Sequence, residues 1–387
     1  MNLHKYSTSK QPSVNTKLNK LVRNLVNRDL KKYQKNTNII VEAIKRQDIC
    51  DYQSQLISTA FNSFKLDIDY LSFTIKCSAK NIDKLINEHR GLLNVKAHGI
   101  KDLISVEPTQ VDAINRDIKR SEDKKRPFYT LLFLIIVNGV EEPVRLYISD
   151  GTAENSTVGI RLSFNPKHYS RREITAAFLH IESILGARSY TSLINKARIT
   201  RLDLGFIVFG LSYFFVYGFV TDKRFKDSEC FTESDNKIAE TTWLGILSKI
   251  RLYDKTLELL RKAKEGKKRF GKWAMSTRFE YEFRAKSRLK LNNLEKISLR
   301  FANLQVVDPQ VLPLLSDKQL SSLLKNRTNR RVKRAVKKLA KLIGKDVPTI
   351  SLDKERLKSE TTRVLSSYKK LILDPRKMFE RFSNEKS

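Results

Sequence analysis

The sequence predicts an α+β fold, an antiparallel sheet with packed helices, flanked by basic helical segments at both ends. Three observations predict it. Between residues 66 and 284, stretches rich in β-branched and aromatic residues alternate apolar and polar positions and stop at turn residues. A capped segment of helical spacing lies among them, and both ends of the chain combine helical spacing with an excess of lysine and arginine. Strands covered by helices from nearby segments make an α+β domain. The expected division is a basic helical arm at 1–62, a central domain at 63–305 and a basic helical region at 306–387.

Each element follows from a particular stretch. In the arm, "LNKLVRNLVNRDLKKY" spaces its apolar residues along one helical face, so an amphipathic basic helix is expected there. At Leu66 the texture changes. "LDIDYLSFTIK", "FYTLLFLIIVNG", "EPVRLYIS" and "STVGIRLSFN" predict four strands in an antiparallel meander. Ser170 and Glu173 have capping-box spacing, and Ile174, Ala177, Phe178, Ile181 and Leu185 share one face before Gly186, which predicts a helix packed on that sheet. Three further strands are expected in "ARITRLDLGF", "SKIRLYDKT" and "STRFEYEFRAK".

The uncharged run Leu204 to Thr221, "LGFIVFGLSYFFVYGFVT", just reaches the length of a membrane span. It starts inside an alternating pattern and holds three glycines, so a buried strand turning into a second element is expected instead. After Phe301 helical spacing returns, with "DPQVLP" as a boundary. From Lys318 to Lys345 there are eleven Lys and Arg and no acid. Val332, Ala335, Val336, Leu339, Leu342 and Ile343 keep an apolar stripe through this run, which predicts a helix docked on its own domain with its charge offered to phosphates.

Composition narrows the function. The 387 residues carry a formal net charge of +33, which demands a polyanionic partner, nucleic acid before anionic membrane. Three cysteines without a CxxC support neither a disulfide framework nor a thiolate zinc site, and fit a reducing cytoplasm. The N-terminus lacks the apolar core of a secretory signal, so a cytoplasmic location is expected. His4, His89, His98, His168 and His180 form neither HxH nor HExxH, and GxxxxGK[ST] is absent, which removes histidine-built metal sites and a built-in ATPase.

Period two puts the candidate chemistry on one surface. With Leu202, Leu204 and Phe206 directed to the core, Arg201 and Asp203 take the other face. Ile250 and Leu252 leave Arg251, Tyr253 and Lys255 together; Phe279, Tyr281 and Phe283 leave Arg278, Glu280, Glu282 and Arg284. Three carboxylates, several cations and one tyrosine are the content of a metal-assisted phosphodiester site, in which carboxylates hold Mg²⁺ or Mn²⁺ and the cations stabilise developing charge. A phenol with an ordinary pKa of about 10 needs such neighbours to attack at neutral pH, and Arg251 and Lys255 flank Tyr253. The same pattern also describes a half-exposed strand with cross-strand ion pairs in a non-catalytic nucleic-acid-binding protein.

"LDIDYLSFTIK", "ITRLDLGF", "TTWLGILSKIRLYDKTLE" and "TRFEYEFR", in that order, resemble the successive motifs of the rolling-circle replication initiators of small bacterial plasmids and the related nickases of integrative conjugative elements. Filamentous-phage replication nickases show a more distant version of the last three. The resemblance covers roughly residues 66–300 and makes the central sheet a nicking domain. It implies an enzyme that nicks one strand of a double-stranded origin, joins tyrosine to the 5′ phosphate and leaves a 3′ hydroxyl as primer. By the same resemblance Tyr253 matches the nucleophile and Lys255 the motif lysine. Asp203 and Glu280 match acids near a divalent metal, Mg²⁺ or Mn²⁺, with Glu282 as the alternative on the same face. A homodimer, a host helicase and a host polymerase are implied partners. Two departures stand out: Ile207 occupies a position where members often carry a second acid, and the glycine-serine segment before the tyrosine is reduced to "WLGILSK". Arg201, Arg278 and Arg284 on the strands, with Arg330, Arg331, Lys333, Arg334, Lys337, Lys338 and Lys341 in the C-terminal run, are the expected DNA contacts, assigned by charge.

Overall fold

A computed structural model describes residues 37–89, 104–109, 131–140, 142–149, 158–221, 228–231, 239–245, 248–264, 275–284, 289–297 and 300–384. The helix expected in "LNKLVRNLVNRDLKKY" lies outside them. Mixed helix and antiparallel sheet make up the rest, as the α+β expectation requires. The chain begins with helices α1 (Thr37–Lys45) and α2 (Gln47–Ser63), strand β1 (Asp67–Lys76) and helix α3 (Ala79–His89). Strands β2 (Ile104–Thr109), β3 (Leu131–Val137), β4 (Val144–Ser149) and β5 (Gly159–Phe164) precede helices α4 (Arg171–Leu185) and α5 (Ala187–Ile194). Next come β6 (Arg198–Phe209), β7 (Gly218–Val220), β8 (Ser228–Phe231), β9 (Thr241–Leu244) and β10 (Lys249–Asp254). Helix α6 (Lys255–Lys264) leads to β11 (Ser276–Arg284) and β12 (Leu304–Val307). The last elements are α7 (Asp317–Lys325), α8 (Asn329–Ile343), β13 (Thr349–Ser351), α9 (Lys354–Leu373) and α10 (Pro375–Asn384).

The chain divides into two compact units, each assembled from three stretches. The first takes Met1–Lys65, Gly205–Tyr281 and Leu299–Leu357; the second takes Leu66–Leu204, Glu282–Ser298 and Lys358–Ser387.

In the second unit the strand order is β2-β3-β4-β5-β1-β6; β3, β4 and β5 run as the expected antiparallel meander, whereas β1, expected to open it, pairs with β5 at its other end, and β2, which was not expected, takes the place beside β3. Leu162 of β5 lies opposite Phe73 on one side and Leu146 on the other, a buried apolar row across three strands. Helix α4 begins and ends where its caps dictate. Glu173 N–H donates to Ser170 Oγ (3.3 Å), Ser170 N–H donates to Glu173 Oε2 (2.5 Å), and Gly186 closes the helix at φ +83°. Its buried face carries Ile174, Ala177, Phe178, Ile181 and Leu185, with the Phe178 ring 6.1 Å from Phe73 and 5.6 Å from Phe164. Arg376 of α10 binds Glu182 of α4 at 3.0 Å, which compensates an almost fully buried carboxylate.

In the first unit the order is β6-β11-β10-β9-β8, with a smaller sheet β13-β12-β7. Helix α2 covers the larger sheet: Phe61 meets Phe279 edge-on at 5.1 Å, and Phe206 stacks on Phe279 at 5.2 Å. Gln53 of α2, fully buried, satisfies the chain where β6 ends, accepting from Ser212 N–H (2.8 Å) and donating to Gly210 C=O (3.2 Å). The uncharged run therefore becomes the end of β6, a 3₁₀ turn at Tyr213–Phe215 and β7, the strand-to-second-element course expected of it. Among the described residues no helix is long and apolar enough to cross a membrane.

At Gly205, β6 and β11 approach closely. A Cβ there would lie 2.6 Å from the Phe279 carbonyl oxygen, a backbone atom that cannot swing aside. Gly205→Ala is expected to cost about 1–3 kcal/mol by forcing the strands apart. A lowered urea midpoint with an unchanged slope checks this; an unchanged midpoint would show that the strands yield freely.

Candidate active site

Strand β10 alternates as expected: Ile250 and Leu252 are buried, while Arg251 and Tyr253 take the opposite face, paired across β9 with Trp243 and Thr241. Both converge on Glu280 of β11. The Tyr253 hydroxyl donates to Glu280 Oε2 at 3.4 Å, Arg251 Nη2 donates to Oε1, and Arg278 Nε reaches Oε2 at 3.4 Å. Arg278 is fully buried and Glu280 only 3% exposed, so this is a charge cluster under cover, opened to solvent by the half-buried Tyr253 and Arg251.

Lys255 departs from the strand expectation. β10 stops at Asp254 because the Asp254 carboxylate accepts from Leu257 N–H (3.0 Å) and caps α6, whose first residue is Lys255. Lys255 still stays near the tyrosine, its Nζ 5.7 Å from the Tyr253 ring centre and 2.6 Å from Glu258 Oε2.

Asp203 and Glu282 form a second cluster, in the second unit. Arg201 grips Asp203 with both prongs, Nε to Oδ1 at 2.9 Å and Nη2 to Oδ2 at 2.5 Å, and extends Nη2 to Glu282 Oε2 at 3.5 Å. Arg284 Nε donates to Glu282 Oε1. The Arg201 guanidinium sits 4.6 Å from the Tyr70 ring centre. Burial alone lowers the Arg201 pKa, but the bond to Asp203 and the charges of Asp203 and Glu282 outweigh it and hold the group above its ordinary value.

Residues expected to share a polar face do meet, and the alternative of a half-exposed strand with cross-strand ion pairs holds for the ion pairs but not for the exposure of β11. Asp203, Glu280 and Glu282 are all under 5% exposed, because β11 is covered on both faces along most of its length. This bears on a metal. Among the described residues no group of three or more His, Cys, Asp or Glu is arranged to hold a metal ion, and all three carboxylates are engaged by guanidinium groups. In this arrangement arginines supply the positive charge, and the set does not fit a divalent ion.

The C-terminal basic run forms two helices where one was expected, α7 and α8, joined by Asn326, Arg327 and Thr328. On α8, Val332 and Leu339 are buried, with Ala335, Val336, Ala340 and Ile343 packed beside them, whereas Leu342 is 62% exposed and leaves the predicted stripe. Arg330, Arg331, Arg334, Lys337, Lys338 and Lys341 are exposed and Lys333 half-buried; none has an ion pair with another described residue. At 100° per residue these seven cations span an arc of about 160°.

Two residues that sequence reasoning passed over hold this region. Arg327, 1% exposed, donates Nη1 to the carbonyls of Tyr213 and Val216 (3.2 Å to the latter) and lies 4.3 and 4.8 Å from the ring centres of Tyr213 and Tyr217. Within an acid-free basic run nothing distinguishes it from its exposed neighbours. Asp254 had a signal, an Asp before the helically spaced "KTLELL". No protein-family model and no curated protein matches the chain.

Burial pushes the Asp254 carboxyl up to about 6, against the lowering effects of the Leu257 and Thr256 N–H groups and the Arg327 charge. Below pH 3.8, the ordinary value, both folded and unfolded chains carry the proton and Asp254 does not affect stability. Between 3.8 and about 6 only the folded chain keeps it, so stability falls as pH rises, by on the order of 3 kcal/mol at most, and is level above. Asp254→Asn, which can still cap α6, is expected to remove this fall. Denaturation midpoints of both proteins across that window check it.

Proposed function

We propose that the protein is a nicking and strand-transfer enzyme acting on DNA, with Tyr253 as nucleophile. The observation that carries the reading is the Tyr253 hydroxyl directed at Glu280 between two arginines, on the tyrosine that the ordered strand motifs single out. In the proposed step Tyr253 Oη attacks the phosphorus of a phosphodiester while its proton passes to Glu280. The bond from phosphorus to the 3′ oxygen breaks, that oxygen leaves and gains a proton, and the 5′ phosphate remains on tyrosine. Arg251, the more exposed of the two arginines, stabilises charge on the phosphoryl oxygens. Water is not consumed, so the 3′ hydroxyl can prime synthesis by a polymerase or attack the phosphotyrosine and restore the strand. Mg²⁺ or Mn²⁺ belongs to the resemblance; no step is assigned to it.

Duplex contact is assigned to α8. Its apolar face is committed to the core of its own unit, which leaves the cationic arc for phosphates and argues against insertion into a membrane. Helix α7, a three-residue turn and α8 have the connection of a helix-turn-helix, in which the second helix enters the major groove with its N-terminal residues toward base edges. Asn329, at that N-terminus, fixes the helix by accepting from Val220 N–H (3.0 Å) and donating to Val220 C=O (3.2 Å). Complete neutralisation of the carboxylates favours the second reading, a basic DNA-binding protein without catalysis.

Supercoiled DNA carrying the element's own origin, incubated with and without Mn²⁺, decides between the two. Tyr253→Phe is expected to abolish nicked circles and covalent protein–DNA adduct while retaining binding; nicking that survives would remove Tyr253 from the mechanism. Replacing Lys337 and Lys341 together by Ala is expected to weaken duplex binding and reduce the slope of log K against log salt by about 2. An unchanged slope would place the duplex elsewhere.

A further inference from the structure

We infer that Phe231, Trp243 and Lys249 form a stacking platform for an unpaired nucleobase of the strand offered to Tyr253; the proposal rests on the nicking reading for that strand's source. All three belong to the same unit as Tyr253 and to its face of the sheet. The register establishes this: Tyr253 lies opposite Thr241 of β9, which lies opposite Phe231 of β8, and Arg251 lies opposite Trp243. Residues directly opposite in antiparallel strands share a face. Lys249 is two residues from Arg251 and joins them.

The geometry is that of an aromatic surface with a cation on it. The Phe231 and Trp243 rings are 4.3 Å apart at 48°, and Lys249 Nζ lies 4.0 Å from the Trp243 ring centre. Phe231 is 44% exposed on a strand at the end of the sheet order, where an aromatic residue invites unwanted pairing. In a protein of net charge +33, an exposed phenylalanine against a half-buried tryptophan, with lysine and arginine on the same face, matches the two needs of single-strand binding, a π-face for the base and positive charge for the backbone. Two strand spacings put Phe231 about 10 Å from Tyr253, so a base seated there belongs to the strand whose phosphate the tyrosine attacks. Duplex DNA keeps its bases stacked and cannot use the platform. The occupant is single-stranded.

Trp243 provides the readout. In full-length protein carrying Trp273→Phe, Trp243 is the one tryptophan left, and its fluorescence is followed during titration with a short oligothymidylate and with an abasic strand of equal length and charge. Quenching by the base-bearing strand, and binding tighter than to the abasic strand by on the order of tenfold, is expected. Phe231→Ala should remove that difference and Phe231→Tyr restore it, while Tyr253→Phe should leave it intact. Equal affinity for the two strands, or a preference that survives Phe231→Ala, overturns the platform. Because the titration needs no cleavage, its result is separate from that of the nicking assay.

Discussion

A carboxylate withdrawn from water costs several kcal/mol unless a cation goes with it, and this constraint organises the strands that carry the candidate chemistry. Asp203, Glu280 and Glu282 are all nearly inaccessible, and the arginines two residues away on the same strands, Arg201, Arg278 and Arg284, are the groups that neutralise them. Period two makes such pairing inevitable once both residues share a face. Arg251 completes the set from a neighbouring strand and, unlike the fully buried Arg278, shares with Tyr253 the Glu280 cluster's access to solvent. Under the proposed function that asymmetry has a chemical use. There an incoming phosphate would compete with Glu280 for the Arg251 guanidinium.

The helices of the first unit show a different solution to burying charge. Among the described residues no carboxylate is bonded to Arg327; carbonyl oxygens and two tyrosine faces carry its charge instead. Such a cation costs much to bury and little to misplace by a fraction of an ångström, since dipoles and π-faces are diffuse acceptors. Asn329 supplies what that arrangement lacks, a two-point bond to a single residue of β7. Together they define where α8 starts, so its cationic face is held in advance of any partner.

Much of this was legible in sequence because it depends on local rules. The Ser170 and Gly186 caps, the alternation in β1, β6 and β10, and the split of α8 into apolar and basic faces require only neighbours within a few residues. What escaped depends on distant ones. Phe61 of α2 and Phe301 cover the apolar face of β11 at Phe279 and Tyr281, and its charged face is met by Arg201 and Arg251 from neighbouring strands. The strand limit at Asp254 was written as an N-cap but overridden by the run of alternation through Lys255. Phe231 and Trp243 meet only through cross-strand register, which no spacing within either strand encodes.

Neither unit is a continuous piece of chain, and this has a consequence during synthesis. The unit that holds Tyr253 includes α2, well before it in the chain, and the basic helices that share it lie beyond residue 316. The second unit likewise waits for α9 and α10. Domains ordinarily fold one after another as they leave the ribosome; here both units wait for residues beyond 316. A chain cut short before residue 316 therefore lacks part of both units, and trimming from that side cannot isolate either one.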